Sequence, residues 1–178
     1  VYEEICRNEY MHNLVVNDVW DFVPNNIGRW WDRKDTEIDI QEFVIEYLMK
    51  FQSKLKITIG NKYANNKKKL ISALALSVVI DNLKDNSEKA DATELVVDFY
   101  TDDNIIQVLF TDNGKGVDLV KYTQDSIFEP GVTNRRGGSG IGLYTIRTFM
   151  KRYLNGEIQF SGNGLRFETG ATFKLIFI

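Results

Sequence analysis

The chain is short of several things, and each shortage excludes something. It has one cysteine, Cys6, in 178 residues. A single thiol cannot form an internal disulfide, so no disulfide framework holds the fold, and the count suits a reducing compartment. There is no excess of positive charge: the formal net charge is −3 and the pI is about 5.3. A nucleic-acid-binding surface is therefore without support. No apolar run is long enough to span a bilayer, and no signal peptide is visible. Internal repeats and low-complexity segments are absent. The chain opens at Val1 rather than Met and is expected to be a piece of something longer. What it does have is ordinary for a soluble globular protein with a real core: 43% hydrophobic and 26% charged residues. The length fits one domain plus an appendage.

Residues 1–35 form an N-terminal appendage or linker of unknown role. Tyr2 to Trp20 is compatible with a helix, and Pro24, Asn25, Asn26 and Gly28 break it. Trp20, Trp30 and Trp31 are expected to pack this segment onto the main body. A short strand is predicted from Thr36 to Asp39. Asp39 with Glu42 then resembles a capping box. Apolar residues recur at Ile40, Phe43, Val44, Tyr47, Leu48, Phe51 and Leu55 with a helical period. Leu55–Ile59 alternates like a strand.

Asn66 is expected to cap a second helix from about Lys67 to Lys89, with Leu70, Ile71, Leu74, Val78 and Leu83 facing inward. Glu94–Tyr100 and Ile105–Thr111 read as a hairpin around Thr101–Asn104. Residues 113–142 form a long glycine-rich loop, with a short helix expected around Leu119–Thr123; long loops of this kind usually carry function. A helix over 143–154 and strands at Glu157–Ser161 and Ala171–Ile178 complete the chain, with a turn at Gly162-Asn163-Gly164. The pattern is α+β: helices packed on one face of a mostly antiparallel sheet.

Three stretches carry chemistry. In the second helix, Asn82, Asn86 and Lys89 are spaced four and three apart and share a face. Asparagine is a mediocre helix former. A carboxamide oxygen suits Mg²⁺, and a lysine one turn on suits phosphate; a merely solvated face is the plain alternative. At the end of a strong strand, Asp112 meets the turn Asn113-Gly114-Lys115-Gly116. Its carboxylate can accept from an exocyclic amine such as that of adenine, or simply close an Asx turn. Finally, Ile127-Phe128-Glu129-Pro130-Gly131 leads through Arg135 and Arg136 into Gly137-Gly138-Ser139-Gly140-Ile141-Gly142-Leu143. Four of those last seven residues are glycine, and a helix follows. Glycine N–H groups and a helix N-terminus together suit phosphate, as an arginine does, although a hinge or tight turn has the same composition.

In this order, Asn82-x-x-x-Asn86, Asp112-x-Gly114-x-Gly116, Phe128-Glu129-Pro130-Gly131 and Gly138-x-Gly140-x-Gly142-Leu143 resemble the N, G1, F and G2 boxes of the GHKL ATPase superfamily, which comprises gyrase, Hsp90, histidine kinases and MutL. Gly170-Ala171-Thr172 resembles its last box. The resemblance covers residues 36–178, and within the superfamily the chain looks most like the ATP-binding catalytic domain of a sensor histidine kinase. It implies the Bergerat fold, a two-layer α/β sandwich with a lid over residues 117–138.

It also implies ATP with Mg²⁺ as cofactors. Asn86 would hold the metal, with Asn82 and Lys89 near the phosphates. Asp112 would read adenine, Gly114 and Gly116 would shape its pocket, and Thr172 would support it. Ile127 and Phe128 would anchor the lid. Gly138, Ser139, Gly140, Ile141, Gly142 and Leu143 would enclose the phosphates, with Arg135 or Arg136 reaching the terminal one. The implied function is transfer of the γ-phosphoryl group to a histidine outside this chain. The implied partners are an upstream dimerisation and phosphoacceptor domain and a response regulator, in a homodimeric parent that is cytoplasmic or membrane-anchored.

One position separates this from ATP hydrolysis. Hydrolytic members carry Glu four residues before the metal asparagine, where this chain has Asn82. An amide cannot take a proton from water, and Asp81 lies about 100° away around the helix. Against that, Asn86-Ser87-Glu88-Lys89-Ala90-Asp91-Ala92-Thr93 resembles the matching stretch of MutL-like ATPases. An ATPase driving dimerisation or a conformational switch, and a nucleotide-binding module without turnover, therefore remain alternatives. His12 is not expected to be the acceptor. About 24 residues separate it from Thr36, too few at about 1.5 Å each for a helical hairpin.

Overall fold

The computed structural model describes residues 36–50, 53–132 and 140–178. The elements are β1 (Thr36–Asp39), α1 (Ile40–Lys50), β2 (Lys56–Ile59), β3 (Lys68–Ile71), α2 (Ala73–Lys89), β4 (Glu94–Asp102), β5 (Ile105–Asp112), a 3-10 turn (Ser126–Phe128), α3 (Gly142–Tyr153), β6 (Gly156–Asn163) and β7 (Ala171–Phe177). The main sheet has five strands in the order β2-β4-β5-β7-β6. β2 is parallel to β4, and the other pairs are antiparallel. β1 and β3 form a separate antiparallel pair.

Strand alternation sends one set of side chains to the core. Leu95, Val97 and Phe99 of β4, Ile106, Val108 and Phe110 of β5, and Phe173, Leu175 and Phe177 of β7 all join one buried cluster. The helices fill the same cluster with Ile40, Val44 and Tyr47 from α1, Leu76, Val79, Ile80 and Leu83 from α2, and Ile146 and Met150 from α3. The helices therefore cover one face of the sheet, as expected. Each such aliphatic side chain contributes about 1.5–3 kcal/mol by leaving water. Residues 36–50 belong to this core, since Ile40 and Val44 are fully buried in it.

Several local expectations hold. Asp39 Oδ1 accepts from the Glu42 N–H at 2.9 Å, capping α1. The β4–β5 hairpin turns on Asp103 and Asn104, with Asp102 opposite Ile105 and Asp103 at φ 48.

Others need correction. α2 starts at Ala73, and its cap is Ser72, whose side chain accepts from the Ala75 N–H at 3.2 Å. Asn66 caps nothing there. A helix from Lys67 would set three lysines at the positive end of its own dipole. Those residues instead extend as β3. Lys69 donates to the Asn104 carbonyl at 2.5 Å and Lys67 to the Asp103 carbonyl. Leu70, expected to face inward, lies on the outer face and is 65% exposed.

No helix forms at Leu119–Thr123. Asp118 Oδ1 accepts from the N–H groups of Val120 and Lys121, leaving a single turn. The turn expected at Gly162–Gly164 falls later. β6 runs on to Asn163 through an irregularity between Phe160 and Gly162, and the reversal is closed by Gly164 N–H on the Gly170 carbonyl. The expected helical appendage and its tryptophans lie outside the described residues. Among the described residues, no helix is long and apolar enough to cross a membrane.

Candidate functional site

At the first end stands Asp112, the last residue of β5 and only 4% exposed. A buried carboxylate must be supplied with donors. Its Oδ1 accepts from Gly114 N–H at 2.8 Å and from Ala171 N–H at 3.2 Å. Its Oδ2 accepts from the Ser87 hydroxyl of α2 at 3.1 Å.

The glycines here permit close approach. A Cβ on Gly114 would lie 2.7 Å from the Ala90 carbonyl oxygen. One on Gly170 would lie 1.9 Å from the Asp112 carbonyl oxygen. Thr172 is buried beside this, but its hydroxyl is bonded to Thr111 at 3.1 Å. The backbone N–H of Ala171, not the Thr172 side chain, is what meets Asp112.

The second end is the start of α3. Its N-cap residue, Ile141, provides no side-chain cap, so the first N–H groups of the helix keep their donor capacity and the positive end of the dipole. Gly142 faces the asparagine stripe of α2. A Cβ there would lie 3.3 Å from Asn86 Oδ1 and 3.4 Å from Asn82 Oδ1. Asn82 donates back to the Val78 carbonyl at 2.8 Å, which directs its amide oxygen rather than its N–H toward α3. Among the described residues, Asn86 Nδ2 is buried without a hydrogen-bond partner. A buried amide N–H needs an acceptor, which an anionic oxygen can supply.

Among the described residues, no group of three or more His, Cys, Asp or Glu could cage a metal. Mg²⁺ needs few protein oxygens when phosphates and water supply the rest. The Asn86 amide oxygen fits that need, and its N–H fits a phosphate oxygen.

Lys89, expected beside the phosphates, is mostly exposed and is paired with Asp85 at 3.0 Å. Asp81 does not face Gly142. Its Oδ2 accepts from the Tyr47 hydroxyl of α1 at 2.5 Å, and Lys84 lies 3.4 Å from its other oxygen. Burial pushes the Asp81 carboxyl above its ordinary value, while Tyr47 and Lys84 pull the other way and Asp85 adds to the rise.

The long loop is rooted at both ends. Gly116 has φ 74, a conformation open to glycine. A Cβ there would press on Asn163 Oδ1 at 2.7 Å. Asn163 clasps the next residue from both sides, accepting from Val117 N–H at 2.8 Å and donating to the Val117 carbonyl at 2.7 Å. At the far root, Ile127 and Phe128 are buried. Phe128 meets Phe173 edge-on, with centroids 6.4 Å apart. Gly131 N–H donates to the Gly140 carbonyl at 3.0 Å. Ile141 is partly exposed, and Leu143 packs against the core. Arg135, Arg136, Gly138 and Ser139 lie outside the described residues.

The structure thus gathers Asn82, Asn86 and Gly142 at one end and Asp112, Gly114 and Ala171 at the other, with α2 running between. Two contributing side chains were missed from the sequence. Ser87 had a signal: it sits four residues after Leu83 on the buried stripe of α2, where a polar side chain needs a partner. Asn163 had none, because Gly-Asn-Gly reads as a turn.

A family model described as "Histidine kinase-, DNA gyrase B-, and HSP90-like ATPase" matches residues 71–177. A second, described as "Archaea bacterial proteins of unknown function", matches residues 1–70. A search of curated proteins returns no match.

Solved structures share the fold at low identity. A mycobacterial sensor histidine kinase, MprB, is 16% identical with a TM-score of 0.62, over 80% of this chain and 96% of that one. The catalytic domain of histidine kinase ThkA is 17% identical with a TM-score of 0.66, over 80% and 94%. The Acinetobacter baumannii histidine kinase AdeS is 17% identical with a TM-score of 0.59, over 96% and 84%. The mixed five-stranded sheet with helices on one face matches the fold of the ThkA catalytic domain. The chain belongs to the histidine kinase-, DNA gyrase B- and HSP90-like ATPase family.

Proposed function

We propose that residues 36–178 form the ATP-binding catalytic domain of a protein-histidine kinase. In this reading ATP lies with adenine at Asp112 and its phosphates at the start of α3. Asp112 Oδ2 accepts from the adenine amino group beside Ser87, and Gly114 leaves room for the flat base. The α3 N–H groups and the Asn86 amide take phosphate oxygens. Mg²⁺ held by the Asn86 oxygen would neutralise phosphate charge. Lys89 and the lid arginines, Arg135 and Arg136, would add cations when they reach the terminal phosphate. The bond from the γ-phosphorus to the bridging oxygen breaks as one forms to an imidazole nitrogen outside this chain, and ADP leaves.

The observation that carries the choice is the amide of Asn82 facing Gly142, where a hydrolase needs a base. Asp81 cannot stand in, because it is held by Tyr47 on α1. With an amide at position 82 and Asp81 held elsewhere, transfer to a supplied nucleophile is favoured over hydrolysis. The reading brings with it an upstream acceptor domain, a response regulator, a homodimeric parent and a cytoplasmic location for this part. A switch-type ATPase is the second reading, favoured by the stretch from Asn86 to Thr93.

The test uses γ-labelled ATP with the longer parent polypeptide. Label that is acid-labile and alkali-stable, on a histidine, is expected, together with only slow phosphate release by this chain alone. Asn82→Glu should raise that release at least about tenfold, since a placed general base typically contributes ~10²–10⁴. Ordinary steady turnover by the unaltered chain, or a parent without an acceptor histidine, overturns the kinase reading.

A further inference from the structure

We infer that Arg147 is a positioning residue of the nucleotide site: it holds the Ile127–Glu129 segment on the core, and its loss speeds nucleotide escape. The second half of this statement rests on the nucleotide reading above; the first half does not. Arg147 stands on α3, in the helix that begins at Gly142. Its guanidinium carbon lies 5.6 Å from the centre of the Phe128 ring. Its Nη1 lies 3.7 Å from Glu129 Oε1. One cation therefore engages two consecutive residues of the loop root, one through its ring face and one through its carboxylate.

Either contact alone is weak at a partly exposed site. Their target gives them weight. The Phe128 ring is buried under the guanidinium and lies edge-on to Phe173. Phe173 is two residues beyond Ala171, whose N–H bonds Asp112. The seated ring therefore backs the strand that supplies the base end, while the helix carrying Arg147 starts at the phosphate end. The segment is also held by the burial of Ile127 in the cluster that contains Ile146 and Met150 of α3, and by the Gly131–Gly140 backbone bond. To this apolar packing Arg147 adds a charged contact from the body of α3 that reaches both Phe128 and Glu129.

The test takes ATP as the probe and compares the unaltered chain with Arg147→Ala, Arg147→Lys and Glu129→Gln. Dissociation of a fluorescent ATP analogue is followed after excess ATP is added, and amide exchange is measured without nucleotide. Arg147→Ala is expected to speed dissociation about three- to tenfold, the size of one lost cation–π contact plus a weak ion pair. Arg147→Lys should recover part of this, because the charge remains while the flat guanidinium is lost. Glu129→Gln should have a smaller effect than Arg147→Ala.

Without nucleotide, the Phe128 and Glu129 amides, which donate to the Asp125 and Ser126 carbonyls, should exchange faster in Arg147→Ala, and those of β5 should not. Unchanged exchange overturns the seating role. Faster exchange with unchanged dissociation overturns the positioning role. If the unaltered chain fails to bind ATP, the functional reading falls, the escape half of this inference falls with it, and exchange alone decides the seat.

Discussion

The Ser87 hydroxyl donates to Asp112 Oδ2 across 3.1 Å, joining α2 to the end of β5 inside the core. Both groups are buried. Ser87 follows Asn86 directly, so the residue that supports the base end adjoins the residue that faces Gly142. The helix thereby fixes the separation of the two ends of the candidate site.

Removing that hydroxyl leaves one oxygen of a buried carboxylate with one donor fewer. Ser87→Ala is expected to destabilise the protein by about 1–3 kcal/mol. Urea unfolding without nucleotide checks this. A change below about 0.5 kcal/mol, the range of inert surface substitutions, would mean that Asp112 does not depend on Ser87.

Gly170 is where β7 meets the Asp112 backbone. A Cβ there would sit 1.9 Å from the Asp112 carbonyl oxygen, at φ 107. Gly170→Ala combines overpacking with backbone strain and should cost about 2–4 kcal/mol. It should also misplace the Ala171 N–H, so ATP affinity should fall along with the denaturation midpoint. A variant that unfolds at the same urea concentration as the unaltered protein would contradict the close approach.

Asp81 makes a pH prediction. Burial raises its carboxyl above the ordinary carboxylate value, against Tyr47 and Lys84. A raised folded value means that the folded protein holds the proton more tightly than the unfolded chain does. This stabilising contribution is fully present below the unfolded value of about 3.9. It is lost as pH climbs through the folded value. Asp81→Asn cannot ionise, so its stability relative to the unaltered protein should rise with pH across that window and then level off. Urea unfolding of both proteins between about pH 4 and 8 measures the slope; a difference that stays flat, or falls, contradicts it.

Much of this protein is legible residue by residue. The β-branched and aromatic residues on either side of Thr101–Asn104 give the β4–β5 hairpin, with β4 buried on both faces from Leu95 to Phe99. The Asp39 cap and Gly140, at φ 63 before α3, are likewise local signals. Of the inward face expected for α2, Val78 and Leu83 are buried, whereas Leu74 is only half-buried and Leu70 and Ile71 belong to β3. The spacing of Asn82 and Asn86 puts both on one helix face without reference to anything distant, and the absence of a glutamate at position 82 is a chemical fact of the sequence alone.

What only the tertiary structure decided is pairing across distance. Lys68–Ile71 is too short and too basic to show its state from its own residues. It becomes β3 because β1 offers it a partner and the Asp103–Asn104 turn offers carbonyls to Lys67 and Lys69. Asn163 holds Val117 because an irregularity in β6 carries it there. Asp81 is turned to Tyr47 while its neighbour Asn82 faces Gly142, and that division depends on which side of α2 each neighbouring helix packs. The sequence determines what each residue can do. Long-range packing determines which partner each residue meets.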